Sequence, residues 1–234
     1  MPRGHFIGVA NGFYPDYPPG LGRYLPAVRP DMDLVAERFK AAGFLTELHK
    51  DLSSDEIFAL LESRVRKGDF AAEDRVVFWF SGHGVHDAAG LGLAGVDHAS
   101  GLVISAGCVP SAHLYRALEG HAALHRMLVV LDCCFAGAAA GDLQLARMRQ
   151  DPWGPAEGRN TAQIALLAAG RGYQSVRDGV FVTRLLSAWD ALERDPRYAS
   201  FAYLPLGEIA AGIETGLGEE DGWVDRHDNS HGVD

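Results

Sequence analysis

Short apolar runs alternate along the chain with longer segments of helical period. The five runs are HFIGVAN, FLTEL, DRVVFWF, RMLVVLD and AQIALLAAG, at residues 5–11, 44–48, 74–80, 126–132 and 162–170. Strands that alternate with helices are typical of a parallel sheet with crossover helices. Because VVFWF and LVVL are apolar at every position, both faces of these strands must be covered. The pattern predicts an α/β fold, a three-layer α/β/α sandwich with a mostly parallel sheet.

Five segments between and after these runs have the apolar spacing of amphipathic helices. They are DMDLVAERFKAAGF, SSDEIFALLESRVRKG, PSAHLYRALEGH, GVFVTRLLSAWDALER and LPLGEIAAGIETGL, at residues 31–44, 53–68, 110–121, 179–194 and 204–217. Each of the first three lies between two apolar runs, as a crossover helix must.

The chain is long enough for one sizeable domain. Its 234 residues, of which 47% are hydrophobic, can bury a real core. We expect a single domain over residues 1–217. The remaining stretch, residues 218–234, reads GEEDGWVDRHDNSHGVD, and its acidic, polar composition predicts a flexible tail or linker.

Charge and cysteine content exclude several classes of protein. The chain has 21 basic and 31 acidic residues and no dense cluster of Lys and Arg, so a nucleic-acid partner is not expected. Three cysteines give no disulfide framework, which indicates a reducing compartment. The first residues lack the apolar run of a signal peptide, and no run approaches the roughly 18 residues of a membrane span. We therefore expect a cytoplasmic protein without a membrane partner.

Reactive side chains follow two of the predicted strands. His83, in SGHG, follows DRVVFWF, and Cys133 and Cys134 follow RMLVVLD. Ligands of open parallel sheets sit beyond the carboxyl ends of the strands, and neighbouring strands lie about 4.8 Å apart. An imidazole beside a thiol lets the sulfur react as a thiolate and can later protonate a leaving amine. The pattern indicates a cysteine–histidine hydrolase, with the N–H groups of Gly84 and of the cysteine as candidate oxyanion donors.

Each of these residues also has a plainer interpretation. A loop histidine is commonly just solvated, and a cysteine after a buried strand is commonly part of core packing. It is their joint placement, at the ends of strands expected to be neighbours, that favours catalysis.

FWFSGHG and VVLDCCFAG resemble the two catalytic motifs of the caspase-like cysteine peptidases, especially the metacaspase and bacterial caspase-homologue branch. PAVRPDMDLVAERFKAAGF is similar to the family's first helix, and QIALLAAGRGYQSVRDGVFVTRLLSAWDAL is similar to its next strand, substrate loop and helix. The likeness covers about residues 5–215, in the order that the family uses. It implies a caspase-hemoglobinase-like fold and peptide-bond hydrolysis.

The resemblance also implies roles for individual residues. His83 and Cys134 match the catalytic dyad, and the backbone of Gly84 and Cys134 matches the oxyanion donors. Cys133 falls where the family accepts varied small residues, so its expected role is packing. The implied protein is a bacterial cysteine-type endopeptidase that acts on polypeptides.

Asp132 bears on the choice of substrate. If the chain stays extended as far as Cys134, Asp132 and the sulfur point to the same side. A carboxylate there suits a substrate cation. In the metacaspase branch, such a pocket is formed by the matching acid, an acid after the first strand and the serine of the histidine turn; these correspond here to Asp132, Asp31 and Ser81, with Asp33 competing for the second place. We expect cleavage after Arg or Lys.

Other interpretations stay open at the sequence level. Caspases that cut after aspartate use arginines, including one directly after the catalytic cysteine, where this chain has Phe135. Asp132 could instead accept hydrogen bonds from loop amides. A non-catalytic caspase-fold scaffold is a further alternative, although both signature residues are present. The loop NGFYPDYPPGLGRYLP, at 11–26, departs from the family pattern and is expected to shape the pocket differently.

No metal and no cofactor is assigned. His83, His86 and His98, with Asp97, have a spacing that a metal hydrolase could use, but no convincing further ligand set accompanies them. GLGLAG, at 90–95, matches the dinucleotide pattern GxGxxG without lying between a strand and a helix. The acidic loop clusters behind the calcium dependence of metacaspases are not placed in this sequence.

Two features bear on regulation. The loop at 141–160 follows the cysteine, as the processed linkers of the family do, and contains Arg147, Arg149 and Arg159. Self-cleavage in this loop is therefore a hypothesis. The resemblance also implies a fused or separate sensor partner, because such regulation is common in bacterial members.

Overall fold

The structure is a computed structural model that describes residues 2–20, 22–99, 107–121, 123–124, 126–142, 144, 163–170, 178–198, 206–214 and 225–228. The strands are β1 Gly4–Ala10, β2 Phe44–Lys50, β3 Arg75–Ser81, β4 Gly84–Asp87, β5 Gly90–Ala94, β6 Cys108–Pro110, β7 Arg126–Asp132, β8 Gln163–Ala168 and β9 Asp225–Asp228. The helices are α1 Val28–Ala41, α2 Ser54–Leu60, which continues as a π-helical turn over Leu61–Arg66, α3 Ala112–Glu119, α4 Val180–Arg194 and α5 Leu206–Glu214.

The main sheet has the strand order β2-β1-β3-β7-β8-β9. The first five of these strands are parallel, and β9 pairs antiparallel with β8 at the edge. Each predicted apolar run coincides with one of the five parallel strands to within two residues at either end. The predicted mostly parallel α/β sheet is confirmed.

Alternate residues of β3 pack into two separate hydrophobic clusters. Val76, Phe78 and Phe80 share one cluster with residues of α2 and α3, and Val77 and Trp79 share the other with residues of α1, α4 and α5. Burial on both faces explains why VVFWF has no polar position. The sheet is thus the middle of three layers. None of the described helices is both long enough and apolar enough to cross a membrane.

A second, antiparallel sheet follows the carboxyl end of β3, with β5 between β4 and β6. Leu91 and Leu93 of β5 are buried in the same cluster as α2 and α3. The sequence analysis did not predict these strands. They are only three to five residues long, so an alternating pattern has no room to show.

Part of the predicted tail belongs to the main sheet. Asp225–Asp228 form β9, and backbone pairing with β8 holds these four residues at the sheet edge. The rest of the tail expected at residues 218–234 lies outside the described residues. The domain boundary at residue 217 stays a prediction. The arginines of the self-cleavage hypothesis, Arg147, Arg149 and Arg159, lie outside the described residues.

Candidate active site

The pairing of β3 with β7 brings the two predicted motifs together. Ser81 and Asp132 are register partners at the carboxyl ends of these parallel strands. His83 and Cys134 each follow two residues later in the chain. The expectation that the two strands are neighbours is therefore confirmed.

Gly84 packs directly against the cysteine turn. A Cβ atom at Gly84 would collide with the carbonyl oxygen of Cys134 and would lie 3.0 Å from Sγ of Cys133. Only glycine leaves room for such an approach. His83 and Cys134 thus lie on two segments in direct contact.

Three residues of the loop after β1 hold His83. Nε2 of His83 donates a hydrogen bond to the carbonyl oxygen of Gly22 at 2.7 Å. The backbone N–H of His83 donates to the Tyr14 hydroxyl at 2.8 Å. The Tyr17 ring stacks on the imidazole, with 4.7 Å between ring centroids and an interplanar angle of 4°. The imidazole is therefore fixed on one edge and on one face.

The bond to Gly22 also fixes the tautomer of His83. A carbonyl oxygen only accepts hydrogen bonds, so Nε2 carries the proton and Nδ1 of the neutral ring keeps a free lone pair. Burial lowers the pKa of His83 below its usual 6.5, although the bond to Gly22 opposes this; the charge of His98 lowers it further and that of Asp178 raises it. The ring is neutral near pH 7 and can act as a base through Nδ1.

The cysteines have different surroundings, and all three are free thiols. Cys133 is 3% exposed and packs in the cluster beneath α2 and α3, where burial raises its pKa well above the usual range. Cys108 is half-buried in β6, and burial raises its pKa to about 12. Cys134 is also half-buried. It is the cysteine that combines partial exposure with a place beside the histidine turn.

The chain does not remain extended from Asp132 to Cys134. β7 ends at Asp132, Cys133 lies in a bend and Cys134 lies in a turn. Phe135 then has a φ of 61°, in the left-handed region that is unfavourable for a bulky residue. The argument from strand alternation therefore does not apply here, and the position of Asp132 has to be judged from its own contacts.

A chain of hydrogen bonds holds Asp132. Nε1 of Trp79 donates to Oγ of Ser81 at 3.1 Å, and that hydroxyl donates to Oδ2 of Asp132 at 3.0 Å. Burial raises the pKa of Asp132 to about 7 against the lowering effect of the Ser81 bond, and the charges of Asp31 and Asp178 add to the rise. The negative charges of Asp31 and Asp178 therefore lie near enough to Asp132 to disfavour its ionised form.

Asp31, Asp132 and Asp178 form an acidic cluster. Burial and the charge of Asp178 raise the pKa of Asp31 to about 6, and Oδ2 of Asp31 is buried with no hydrogen-bond partner among the described residues. Asp178 is exposed, and its Oδ2 accepts a hydrogen bond from the backbone N–H of Ala27 at 3.0 Å. In the part of the chain that the structure describes, none of the three acids forms an ion pair.

The two competing acids of α1 lie in different places. Asp33 is exposed and pairs with Lys50, whose Nζ lies 2.7 Å from Oδ1 of Asp33. Asp31 belongs to the acidic cluster instead. Of the residues predicted to bind substrate, the structure therefore brings together Asp31, Ser81 and Asp132 and leaves Asp33 outside.

The residues considered as metal ligands do not converge. His86 is exposed on β4. Asp97 accepts hydrogen bonds from the backbone N–H and the hydroxyl of Ser54, at 2.7 and 2.8 Å. His98 is buried and bonded through Nδ1 to the Tyr17 hydroxyl. Among the described residues, no group of three or more His, Cys, Asp or Glu side chains could hold a metal ion.

Four residues of this site were not predicted from the sequence: Tyr14, Tyr17, Gly22 and Asp178. The first three belong to the loop at 11–26, whose departure from the family pattern was the only signal. Their contacts with the histidine turn span more than 60 residues of sequence, and no local pattern predicts them. Asp178 is one exposed acid among many, and only the fold places it beside Asp31.

Comparisons with known proteins agree with this architecture. The caspase domain model of peptidase family C14 matches residues 9–201. The chain therefore belongs to the caspase family of peptidases, as the motifs implied. The crystal structure of protein GSU0716 from Geobacter sulfurreducens is similar, with a TM-score of 0.64 over 97% of this chain and 93% of that chain, at 15% identity. This likeness concerns the fold alone. A search among curated proteins found no match.

The different surroundings of the cysteines predict an order of chemical labelling. We expect iodoacetamide at neutral pH to alkylate Cys134 first, because it is partly exposed and lies beside His83. Cys133 should react last, since it is buried in the core. Peptide mapping with fragment-ion mass spectrometry, at successive times, separates the adjacent cysteines, and protein unfolded in urea is the control in which all three react. Earlier labelling of Cys133 or Cys108 contradicts this account.

Proposed function

We propose that the protein is a cysteine endopeptidase that cleaves polypeptides after arginine or lysine, with Cys134 as the nucleophile and His83 as the general base. The observation that carries the proposal is the acidic cluster around Asp132, which lies two residues before Cys134, together with the effect of Asp178 on His83. The cluster holds three carboxyl groups, and none of them has an ion-pair partner among the described residues. A site of this charge next to a thiol and an imidazole suits a cationic substrate.

The reaction begins with transfer of the Cys134 thiol proton to Nδ1 of His83. The thiolate attacks the carbonyl carbon of the scissile bond, and the carbonyl oxygen becomes an oxyanion. The imidazolium gives its proton to the leaving amine as the C–N bond breaks, which leaves a thioester on Cys134. Water then attacks the thioester while Nδ1 takes a proton from it. The C–S bond then breaks, the imidazolium returns its proton to the sulfur of Cys134, and the acid product leaves.

Backbone donors for the oxyanion come from Gly84 and Cys134. The N–H of Ala94 donates to the carbonyl oxygen of His83 at 3.1 Å, and the next register pair is Gly84 with Leu93. Hydrogen-bonded and non-hydrogen-bonded pairs alternate in an antiparallel ladder, so the N–H of Gly84 is directed away from β5. This supports its use as an oxyanion donor together with the N–H of Cys134.

A cationic side chain complements the acidic cluster. Burial penalises the ionised form of Asp132, and a nearby guanidinium or ammonium group offsets that penalty by favouring the carboxylate. Arginine suits several carboxylates at once, because its guanidinium presents five N–H donors. An aspartate in the same place would meet like charges, and Phe135 offers it no cation.

Two other expectations lie outside this mechanism. Regulation by a fused or separate sensor partner stays a prediction that rests on the family resemblance. A cytoplasmic location likewise stays a prediction, which rests on composition. The proposed chemistry needs only the dyad, the backbone donors and the acidic cluster.

Substitution of each cysteine tests the nucleophile. On fluorogenic peptides with Arg, Lys, Asp or Ala before the cleaved bond, Cys134→Ala and His83→Ala should lower kcat by about a thousandfold or more, because each removes a reacting group. Cys133→Ala is the matched control and should keep most of the activity. Activity that survives in Cys134→Ala but not in Cys133→Ala contradicts the assignment. A folded wild-type protein that cleaves none of the four peptides identifies a scaffold instead.

The preference for arginine should increase with pH. Because the pKa values of Asp31 and Asp132 are raised to about 6 and about 7, both acids gain negative charge as the pH rises from about 5 to about 8. The measurement is the ratio of kcat/KM for an arginyl peptide to that for the neutral citrullyl peptide. This ratio cancels the titration of the dyad, and we expect it to rise over that range.

Matched variants locate the charge responsible. Asp132→Asn and Asp31→Asn should lower the ratio by about tenfold to a hundredfold at high pH and flatten its pH dependence, since each removes a charged acceptor. Asp33 lies in α1, as Asp31 does, and its charge is paired with Lys50. Asp33→Asn should therefore change neither the ratio nor its pH dependence. A flat ratio in the wild type, or an equal effect of Asp33→Asn, excludes an acidic pocket for a cationic side chain.

A further inference from the structure

The loop that contacts His83 is itself held in place. In this tyrosine loop (residues 12–20 and 22–25), the backbone N–H of Tyr14 donates to the carbonyl oxygen of Arg23 at 2.9 Å. Asp51, which directly follows β2, accepts hydrogen bonds from two backbone N–H groups at the start of the loop, at 3.0 and 3.2 Å. These bonds tie the loop both to itself and to the main sheet, so it can act as a fixed support.

Tyr17 is the residue of this loop whose ring lies parallel to the imidazole of His83, and it is 8% exposed. The Tyr14 ring also contacts the imidazole, tilted at 49° with 4.5 Å between centroids. A rotation of the imidazole about its Cβ–Cγ bond would drive a ring edge into Tyr17. The stack therefore protects the hydrogen bond from Nε2 to Gly22 and leaves Nδ1 as the free nitrogen.

Tyr17 is anchored in turn by a buried histidine. Its hydroxyl lies 2.9 Å from Nδ1 of His98, which is 1% exposed. The backbone of His98 is fixed by a bond from its N–H to the carbonyl oxygen of Gly95 at 3.1 Å, and a Cβ at Gly107 would lie 2.5 Å from its Cα. His98 therefore gives the Tyr17 hydroxyl a hydrogen-bond partner whose backbone is fixed.

The second ring nitrogen of His98, Nε2, indicates that this residue does more than fill space in the interior. Nε2 is buried and has no hydrogen-bond partner within the part of the chain that the structure describes. Burial raises the pKa of Tyr17 to about 12, so its hydroxyl keeps its proton. Whichever group donates in the bond between them, one polar atom of His98 has no partner among the described residues, which is unfavourable for a buried group. An apolar residue would avoid that cost, whereas the histidine supplies a side-chain hydrogen bond to Tyr17.

We propose that Tyr17, anchored by His98, is a positioning residue that holds His83 with Nε2 on Gly22 and Nδ1 free to take the proton of Cys134. The inference rests on the proposed dyad. Tyr17 does not touch the scissile bond in this account, so its loss should slow the chemical steps and leave substrate binding largely intact. The charged or titratable groups around the two rings are Tyr14, which contacts both, His98 and Asp178 beside His83, and His98, Cys108 and Cys134 beside Tyr17.

A double-mutant cycle on Tyr17 and His98 tests the anchor. Tyr17→Phe keeps the ring and removes the hydroxyl. His98→Leu removes the hydrogen-bond partner of that hydroxyl and leaves a side chain of similar volume. Each should lower kcat about tenfold with KM changed by less than about twofold. The rate of Cys134 alkylation by iodoacetamide at neutral pH, measured without any peptide, should fall by the same factor. The double variant should be no slower than the slower single variant, because both changes remove one hydrogen bond.

Two further variants separate positioning from general damage. His98→Asn supplies an amide that can bond the Tyr17 hydroxyl, and it should recover most of the rate lost in His98→Leu. Tyr24→Phe removes a hydroxyl from a tyrosine of the same loop that is 60% exposed, and it should behave as wild type in both assays.

The possible results distinguish the two proposals. Unchanged kcat and alkylation in Tyr17→Phe and His98→Leu, or losses that multiply in the double variant, overturn the positioning role while wild-type cleavage still supports the peptidase. A wild-type protein that neither cleaves the peptides nor reacts preferentially at Cys134 overturns both.

Discussion

The contact between Gly84 and the carbonyl oxygen of Cys134 is the constraint on which the rest of the site depends. Parallel pairing of β3 with β7 brings two strand ends together. Only a residue without a side chain then lets the turn after β3 close on the turn after β7. The strained backbone at Phe135 accompanies that tight turn. Because His83 directly precedes Gly84, the same contact sets the position of the imidazole relative to the thiol.

The acidic cluster is unfavourable for the folded protein on its own. Folding raises the pKa of Asp132 from 3.8 to about 7, mainly by burial. An acid with a raised pKa holds its proton more tightly when folded, so its contribution lowers the free energy of unfolding as the pH rises from about 4 to about 7. Proteins retain such groups where function uses them. A bound cation favours the carboxylate and relieves this cost, which links the stability of the site to the proposed specificity.

The scaffold could be predicted because its determinants are local. Runs such as VVFWF identify strands covered on both faces, and the two short motifs at strand ends carry the family. Other features depend on tertiary contacts. The bond from His83 to Gly22 joins residues 61 positions apart, and Asp178 enters the site through the packing of α1 and α4. The extended chain assumed up to Cys134 fails because the backbone bends at Cys133 and turns at Cys134, and the sequence carries no signal for that conformation.

The most direct test of the central claim is covalent trapping by a peptidyl chloromethyl ketone. The reagent alkylates the nucleophile only after its side chain has bound beside it, so one experiment reports both the reacting atom and the specificity. Mass-spectrometric mapping should place an arginyl adduct on Cys134, with loss of activity, while the matched aspartyl reagent leaves the protein unmodified. An adduct on Cys133, or reaction with the aspartyl reagent alone, would contradict the account.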